Sequence, residues 1–390
     1  MSLRYKLKWI ALGCATLLLL ACGGASDGGN ATSVQGTLRL ALTDAPACGY
    51  EAVNLTVRAV RVHQSRSAAD TDGGWSEVAL NPPRRLNLLN LRGGVLEELG
   101  QTPLPVGKYT QLRMVLADND ASHPLANSVL PSADAETALK TPSGQQSGVK
   151  ANIDIDIAAN QLADFVIDFD ACRSVVTLGN SQQYLLKPVL TVMARYVAGV
   201  SGFVADALAN GSTSVSLQQG AAVIKATTPE VGGKFLLQPV APGSYTLVVT
   251  APGRRTGVVT GVVVAADAVT PLNSAATALS LPASASATVQ GSAPVDTLVR
   301  IVQPLSGGPG IEVAGRFVDA VTGRYAYPLV VDAPQRAAYV APAGALVFVA
   351  DGAAAGKYTL AASLAGFGDR TLELPMLTAD AVVNTNLTFP

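Results

Sequence analysis

Alternation of apolar and polar residues, broken at short intervals by glycine and proline, leaves this chain little to build except short β-strands. Leu38, Leu40 and Leu42 alternate with Thr37, Arg39, Ala41 and Thr43, the period-two signature of a half-buried strand. Val53, Leu55 and Val57 repeat it, and the phase then moves to Val60 and Val62, which predicts a β-bulge near Arg58. Ile153, Ile155 and Ile157 alternate with Asp154 and Asp156, and Phe165, Ile167 and Phe169 with Asp168 and Asp170. No 3.6-residue apolar period runs far enough for a long helix, and 37 glycines and 23 prolines supply many turns. The pattern predicts an all-β chain of tandem antiparallel β-sandwiches.

The N-terminus carries a different signal. Arg4, Lys6 and Lys8 precede an apolar stretch from Trp9 to Leu20, too short to span ~30 Å of hydrocarbon and laid out as a signal peptide. Leu19-Leu20-Ala21-Cys22 closes that stretch and resembles a bacterial lipobox. The resemblance implies that residues 1–21 are removed and that Cys22 is acylated, with membrane lipid as its partner. One acyl chain anchors only marginally, so more than one is expected. Ordinary secretion with cleavage after Ala21 is the alternative. Residues 22–33 read as a flexible stalk. Gly23, rather than aspartate, follows Cys22, which resembles sorting to the outer membrane in a diderm host. The expected location is the cell envelope, as an outer-membrane lipoprotein facing the periplasm or the cell surface.

Composition narrows the partners. Removing Arg4, Lys6 and Lys8 leaves 24 basic against 28 acidic residues, so no basic cluster survives processing and nucleic acid lacks its electrostatic footprint. Charged residues are only 14% of the chain, against about 25% in a typical soluble domain. Of four cysteines, Cys14 leaves with the leader and Cys22 with the lipid, so Cys48 and Cys172 remain as an even pair in an oxidising compartment. A disulfide between them is the simplest reading, and two unpaired buried thiols are the alternative.

Four separated motifs carry a family resemblance. They are Leu42-Thr43-Asp44-Ala45-Pro46, the run from Pro142 to Lys150, Asp168-Phe169-Asp170-Ala171-Cys172-Arg173-Ser174-Val175-Val176, and Tyr184-Leu185-Leu186-Lys187-Pro188-Val189-Leu190. In that order they resemble the bacterial domain of unknown function 4382, which implies a prealbumin-like sandwich over residues 34–196 and no established activity. Cys48 and Cys172 occupy positions that family pattern does not demand.

Residues 197–282 hold Gly233-Lys234-Phe235, Gly243-Ser244-Tyr245-Thr246-Leu247 and Ala251-Pro252-Gly253. These resemble the carboxypeptidase regulatory-like fold, an immunoglobulin-like or prealbumin-like sandwich in which a glycine turn delivers a tyrosine into the core. Gly243 is expected to take a backbone angle other residues resist, and Arg254 stands where that pattern places an aromatic residue. Residues 288–390 repeat the device with Gly356-Lys357-Tyr358-Thr359-Leu360, Gly366 and Phe367. Gly107-Lys108-Tyr109-Thr110 looks like a weaker copy, because Leu112, Met114 and Leu116 are out of phase with Tyr109. Pro282 to Ala287 reads as a linker.

Little in the chain suggests catalysis. His63 and His123 are isolated, and there is no Cys-x-x-Cys spacing, nucleophile elbow or phosphate loop. No cofactor is expected. Asp118-Asn119-Asp120 forms an oxygen-rich loop that would suit calcium, although its spacing is not that of an EF-hand and a solvated turn is the favoured reading. If Cys48 meets Cys172, Asp44, Asp168 and Asp170 are expected to gather near that disulfide with Arg173 as counter-ion, as a ligand site or, the favoured reading, a structural ion pair. The leading expectation is a lipid-anchored, non-enzymatic binding or scaffolding protein with a carbohydrate or envelope-protein ligand. A carboxylate-dependent enzyme on cell-wall polysaccharide and a structural spacer are the alternatives.

Overall fold

Leu38, Leu40 and Leu42 lie on the strand Gln35–Asp44 with their side chains buried at 1, 0 and 0% exposure, as their alternation requires. The computed structural model describes residues 34–44, 49–132, 134–142, 144, 147–341, 343 and 346–390. The leader, the stalk, Cys22 and Cys48 lie outside them. The described chain is all-β, with three hydrophobic cores each enclosed between two sheets and a smaller fourth cluster, Val248, Val258, Leu305 and Ile311, where the second module meets the third.

The first core lies between a four-stranded sheet, in the order Leu190–Ala194, Leu162–Phe169, Gln35–Asp44 and Glu97–Pro105, and a larger sheet built around Tyr50–His63. The register of Tyr50–His63 slips between Val57 and Ala59 against both neighbours, which places the bulge at Arg58. The sheets are mixed rather than purely antiparallel. Gln35–Asp44 runs parallel to Leu162–Phe169, with Thr43 opposite Asp168 and Asp44 opposite Phe169. A strand so distant in sequence reaches this position by a long crossover, and either direction is then open to it.

The second core sits between the sheet of Lys234–Leu237, Gly199–Phe203 and Val269–Pro271 and one centred on Ser214–Gln219, Gly243–Thr250 and Gly257–Val264. The third lies between Arg324–Val330, Ser286–Ser292 and Val382–Asn384 and the sheet led by Gly308–Phe317 and Leu298–Leu305. One strand, Gln335–Ala338, crosses over to pair in parallel with Gly257–Val264, so the second sheet is completed by sequence beyond residue 288. The expected linker is pinned instead of loose: Arg254 bridges to Ala283, Ser284 N donates to Gly253 O at 2.9 Å, and Arg254 Nη1 donates to Leu281 O at 3.3 Å. Arg254 thus has a local structural role at the position where an aromatic residue was expected.

The Gly-x-Tyr-Thr devices divide differently from the sequence reading. Gly107 and Gly243 each open a strand, and Tyr109 Oη and Tyr245 Oη donate to the carbonyls four residues earlier, Pro105 and Ala241, at 3.2 and 2.8 Å. A register shift follows each tyrosine, between Tyr109 and Gln111 and between Tyr245 and Leu247. That shift resolves the phase mismatch with Leu112. Tyr358 instead precedes its strand, Thr359–Ser363, and bonds to Val330 O at 2.6 Å. Gly243 does not take a positive φ, and a Cβ there would stand 3.4 Å from the Tyr245 ring and hydroxyl, an ordinary contact distance, so the expected backbone demand for glycine is absent.

Candidate functional site

The outward face of Leu162–Phe169 would meet water in a lone sandwich. Here Val166 and Asp168 on that face are 0 and 9% exposed, and Asp168 meets a lysine of the second module. Lys225, from the strand Ala222–Thr227, reaches Asp168 Oδ1 at 2.8 Å with both side chains almost fully buried. Asp170 ends the strand and caps the short helical turn Ala171–Ser174 by accepting from Arg173 N at 2.9 Å. Asp44 Oδ1 accepts from Ala171 N at 3.1 Å, next to Asp170, while Asp168 turns to Lys225.

Arg173 serves a wider purpose than counter-ion to these three. Its Nε lies 3.4 Å from Asp170 Oδ2, and its Nη2 bonds to Glu312 of the strand Gly308–Phe317. Glu312 is also held through its backbone, which exchanges two hydrogen bonds with the Gln218 side chain at 2.8 and 2.9 Å. Three modules therefore meet at Asp170, Arg173, Gln218 and Glu312. Burial pushes the Glu312 carboxyl up to about 7, against the opposing pull of Arg173 and Arg300. Burial likewise raises Asp170, with Arg173 opposing.

Beside this junction, the first and third modules enclose a cleft of about 920 Å³. Tyr50, Phe317, Arg316, Arg324, Gln290 and Asn384 are among its lining residues. Tyr50 packs edge-on against Tyr184 with centroids 5.9 Å apart, and burial raises its hydroxyl to about 12. Asp319 ties the two walls together: its Oδ2 accepts from Thr177 Oγ1 at 3.0 Å and Gly179 N at 2.7 Å, while Ala320 N donates to Thr177 O. Lys187 adds an ion pair to Asp296 across the same boundary.

The calcium reading of Asp118 and Asp120 meets a different geometry. Asp120 Oδ1 accepts from Ser122 N and His123 N at 2.8 and 2.7 Å, closing its own turn, and Asp118 points to solvent. Asn119 is locked to Asn127 by reciprocal hydrogen bonds. Among the described residues no three His, Cys, Asp or Glu side chains converge as a metal site would require. His63 lies against Trp75 and accepts from Ser65 N at 2.8 Å. Nothing in the sequence singles out Gln218 or Asp319, the latter lying between the strands Gly308–Phe317 and Arg324–Val330, and the only signal for Lys225 and Glu312 is a charged residue on a largely apolar strand.

Comparison with known proteins covers the first module best. The family model of a domain of unknown function (DUF4382) matches residues 35–188. No curated protein matches the chain. Among solved structures, a type II cohesin–X-dockerin complex from Acetivibrio cellulolyticus is similar over 22% of this chain and 58% of its own, at 22% identity and a TM-score of 0.18. The Bacillus anthracis TIE protein aligns with 91% of this chain and 51% of its own, at 12% identity and a TM-score of 0.19. A streptococcal ancillary pilin aligns with 90% and 98%, at 10% identity and a TM-score of 0.13. The chain thus spans little more than half the length of the first two.

Proposed function

We propose that this is a lipid-anchored envelope protein with a non-catalytic binding role, and that the cleft between its first and third modules holds a glycan. The observation that carries the reading is the cleft of about 920 Å³ whose two walls are fixed by the Asp319, Lys187 and Arg173 ties. Amide and guanidinium groups such as Gln290, Asn384, Arg316 and Arg324 pair well with sugar hydroxyls, and Tyr50 and Phe317 offer apolar surface beside them. A binding rather than hydrolytic role is supported by the carboxylates, since Asp168 and Asp170 are engaged by Lys225 and Arg173.

Anchoring rests on the basic start, the apolar run and Cys22. A Cys48–Cys172 disulfide is supported by Gly49, the neighbour of Cys48, lining the same pocket as Cys172. Residues 197–282 are read as a regulatory-like module from the Tyr245 anchor.

Calorimetry and array binding with envelope polysaccharides test the proposal. Binding weakened about tenfold by Arg316→Ala combined with Asn384→Ala is the expected result, equivalent to about 1.4 kcal/mol. Absence of any glycan ligand, or unchanged affinity in the double variant, overturns it.

A further inference from the structure

A buried ammonium brings one charge and three N–H donors, and each donor left unmet costs free energy. The Lys225 side chain is 1% exposed, and its Nζ donates to Asp168 Oδ1 at 2.8 Å, with Asp168 10% exposed. Lys108 and Lys187 also form ion pairs, but their partners Asp154 and Asp296 are 71 and 66% exposed. Lys225 and Asp168 are therefore a primary amine and a carboxyl held in contact away from water, brought together from two modules. Asp170 lies two residues further on and interacts electrostatically with both. Its raised affinity for a proton suits it to carry one in a buried site.

We propose that Lys225 and Asp168 condense to an amide bond within the folded chain. A proton passes from the ammonium to the carboxylate, giving a neutral amine and acid of the same total composition. The Nζ lone pair attacks Cγ, a C–N bond forms, and the tetrahedral intermediate expels the carboxyl hydroxyl. Asp170 protonates that hydroxyl as it leaves as one water, and takes back the proton lost from nitrogen. Nothing is oxidised or reduced. The product has no charge and one N–H, which suits a site this dry far better than an ammonium does. Exclusion of solvent then protects the amide from hydrolysis.

Peptide mapping of the reduced, alkylated chain tests this directly. An acylated Lys225 resists trypsin, so residues 151–173 should appear joined to residues 196–234, and the intact mass should fall short by one water. Linear 151–173 with full cleavage after Lys225 overturns the proposal. Lys225→Arg keeps a cation but lacks the amine, and Asp168→Ala lacks the carboxyl; each should restore the linear peptides. A branched species surviving in Asp168→Ala would overturn the assignment. Asp170→Asn should leave a substantial unlinked fraction, and complete linkage in that variant would remove Asp170 from the reaction.

Discussion

Two acidic groups that read alike in the sequence have opposite fates in the fold. Asp168 and Asp170 join Glu312 at a boundary between modules, buried against Lys225 and Arg173. Asp118 and Asp120 stay at the surface, where Asp120 merely closes its own turn. The difference teaches that a carboxylate's chemistry depends on what covers the strand that bears it. A neighbouring module turns a solvent-facing aspartate into the buried partner of a lysine, and a loop leaves it as it was.

The comparison is broken most severely at Lys225. Lys225→Ala removes the amine that faces Asp168 in a dry site, and with it both the proposed cross-link and the cation, and should cost at least about 3–5 kcal/mol, read by urea denaturation. Loss under 1 kcal/mol would mean that the junction tolerates an unpaired charge as the surface loop does.

Glu312 supplies the next largest effect. In the folded chain its carboxyl keeps its proton up to about 7, whereas the ordinary value is 4.5. The folded state therefore binds more protons between those limits. Its contribution is fully present at about pH 4.5 and below, and stability falls as pH rises through about 7, by on the order of 2–3 kcal/mol. Glu312→Gln should flatten that slope in denaturation measured at pH 5 and pH 8; a slope of unchanged size would assign the dependence elsewhere.

Asp319 is a milder case with the opposite sign. Desolvation raises its carboxyl, but hydrogen bonds from Thr322, Gly179 and Val321 outweigh that and bring it to about 2. Its contribution is present above about pH 4 and is lost as pH falls through 2. Asp319→Asn at neutral pH should cost about 1 kcal/mol once solvent screening is discounted, measured by thermal unfolding. Smallest of all, Asp120→Asn keeps an oxygen for the turn and should leave the thermal midpoint unchanged within error. A larger loss there would erase the contrast between the two regions.

The strands of the first module were legible because apolar alternation reports burial directly, down to the bulge at Arg58. That Asp168 and Asp170 lie together was legible too, since they share one alternating run. Their partners were not. Lys225 and Glu312 sit on strands where a polar residue normally marks the solvent side, and nothing local reveals that another module will cover that side. Tyr109 was misjudged for a related reason: a register shift beside it lets the Leu112 set change phase without leaving the core. Gln335–Ala338 was invisible as part of the second sheet because strand patterning carries no address.

That borrowed strand has a practical consequence for anyone dissecting the molecule. Gln335 N and Tyr339 N donate to Thr256 O and Thr260 O at 2.8 and 2.9 Å, closing the margin of Gly257–Val264. A fragment that stops at residue 282 uncovers this row of backbone acceptors together with Val258. Such a piece would be sticky and self-associating, so the middle of the chain has to be produced with its C-terminal neighbour attached.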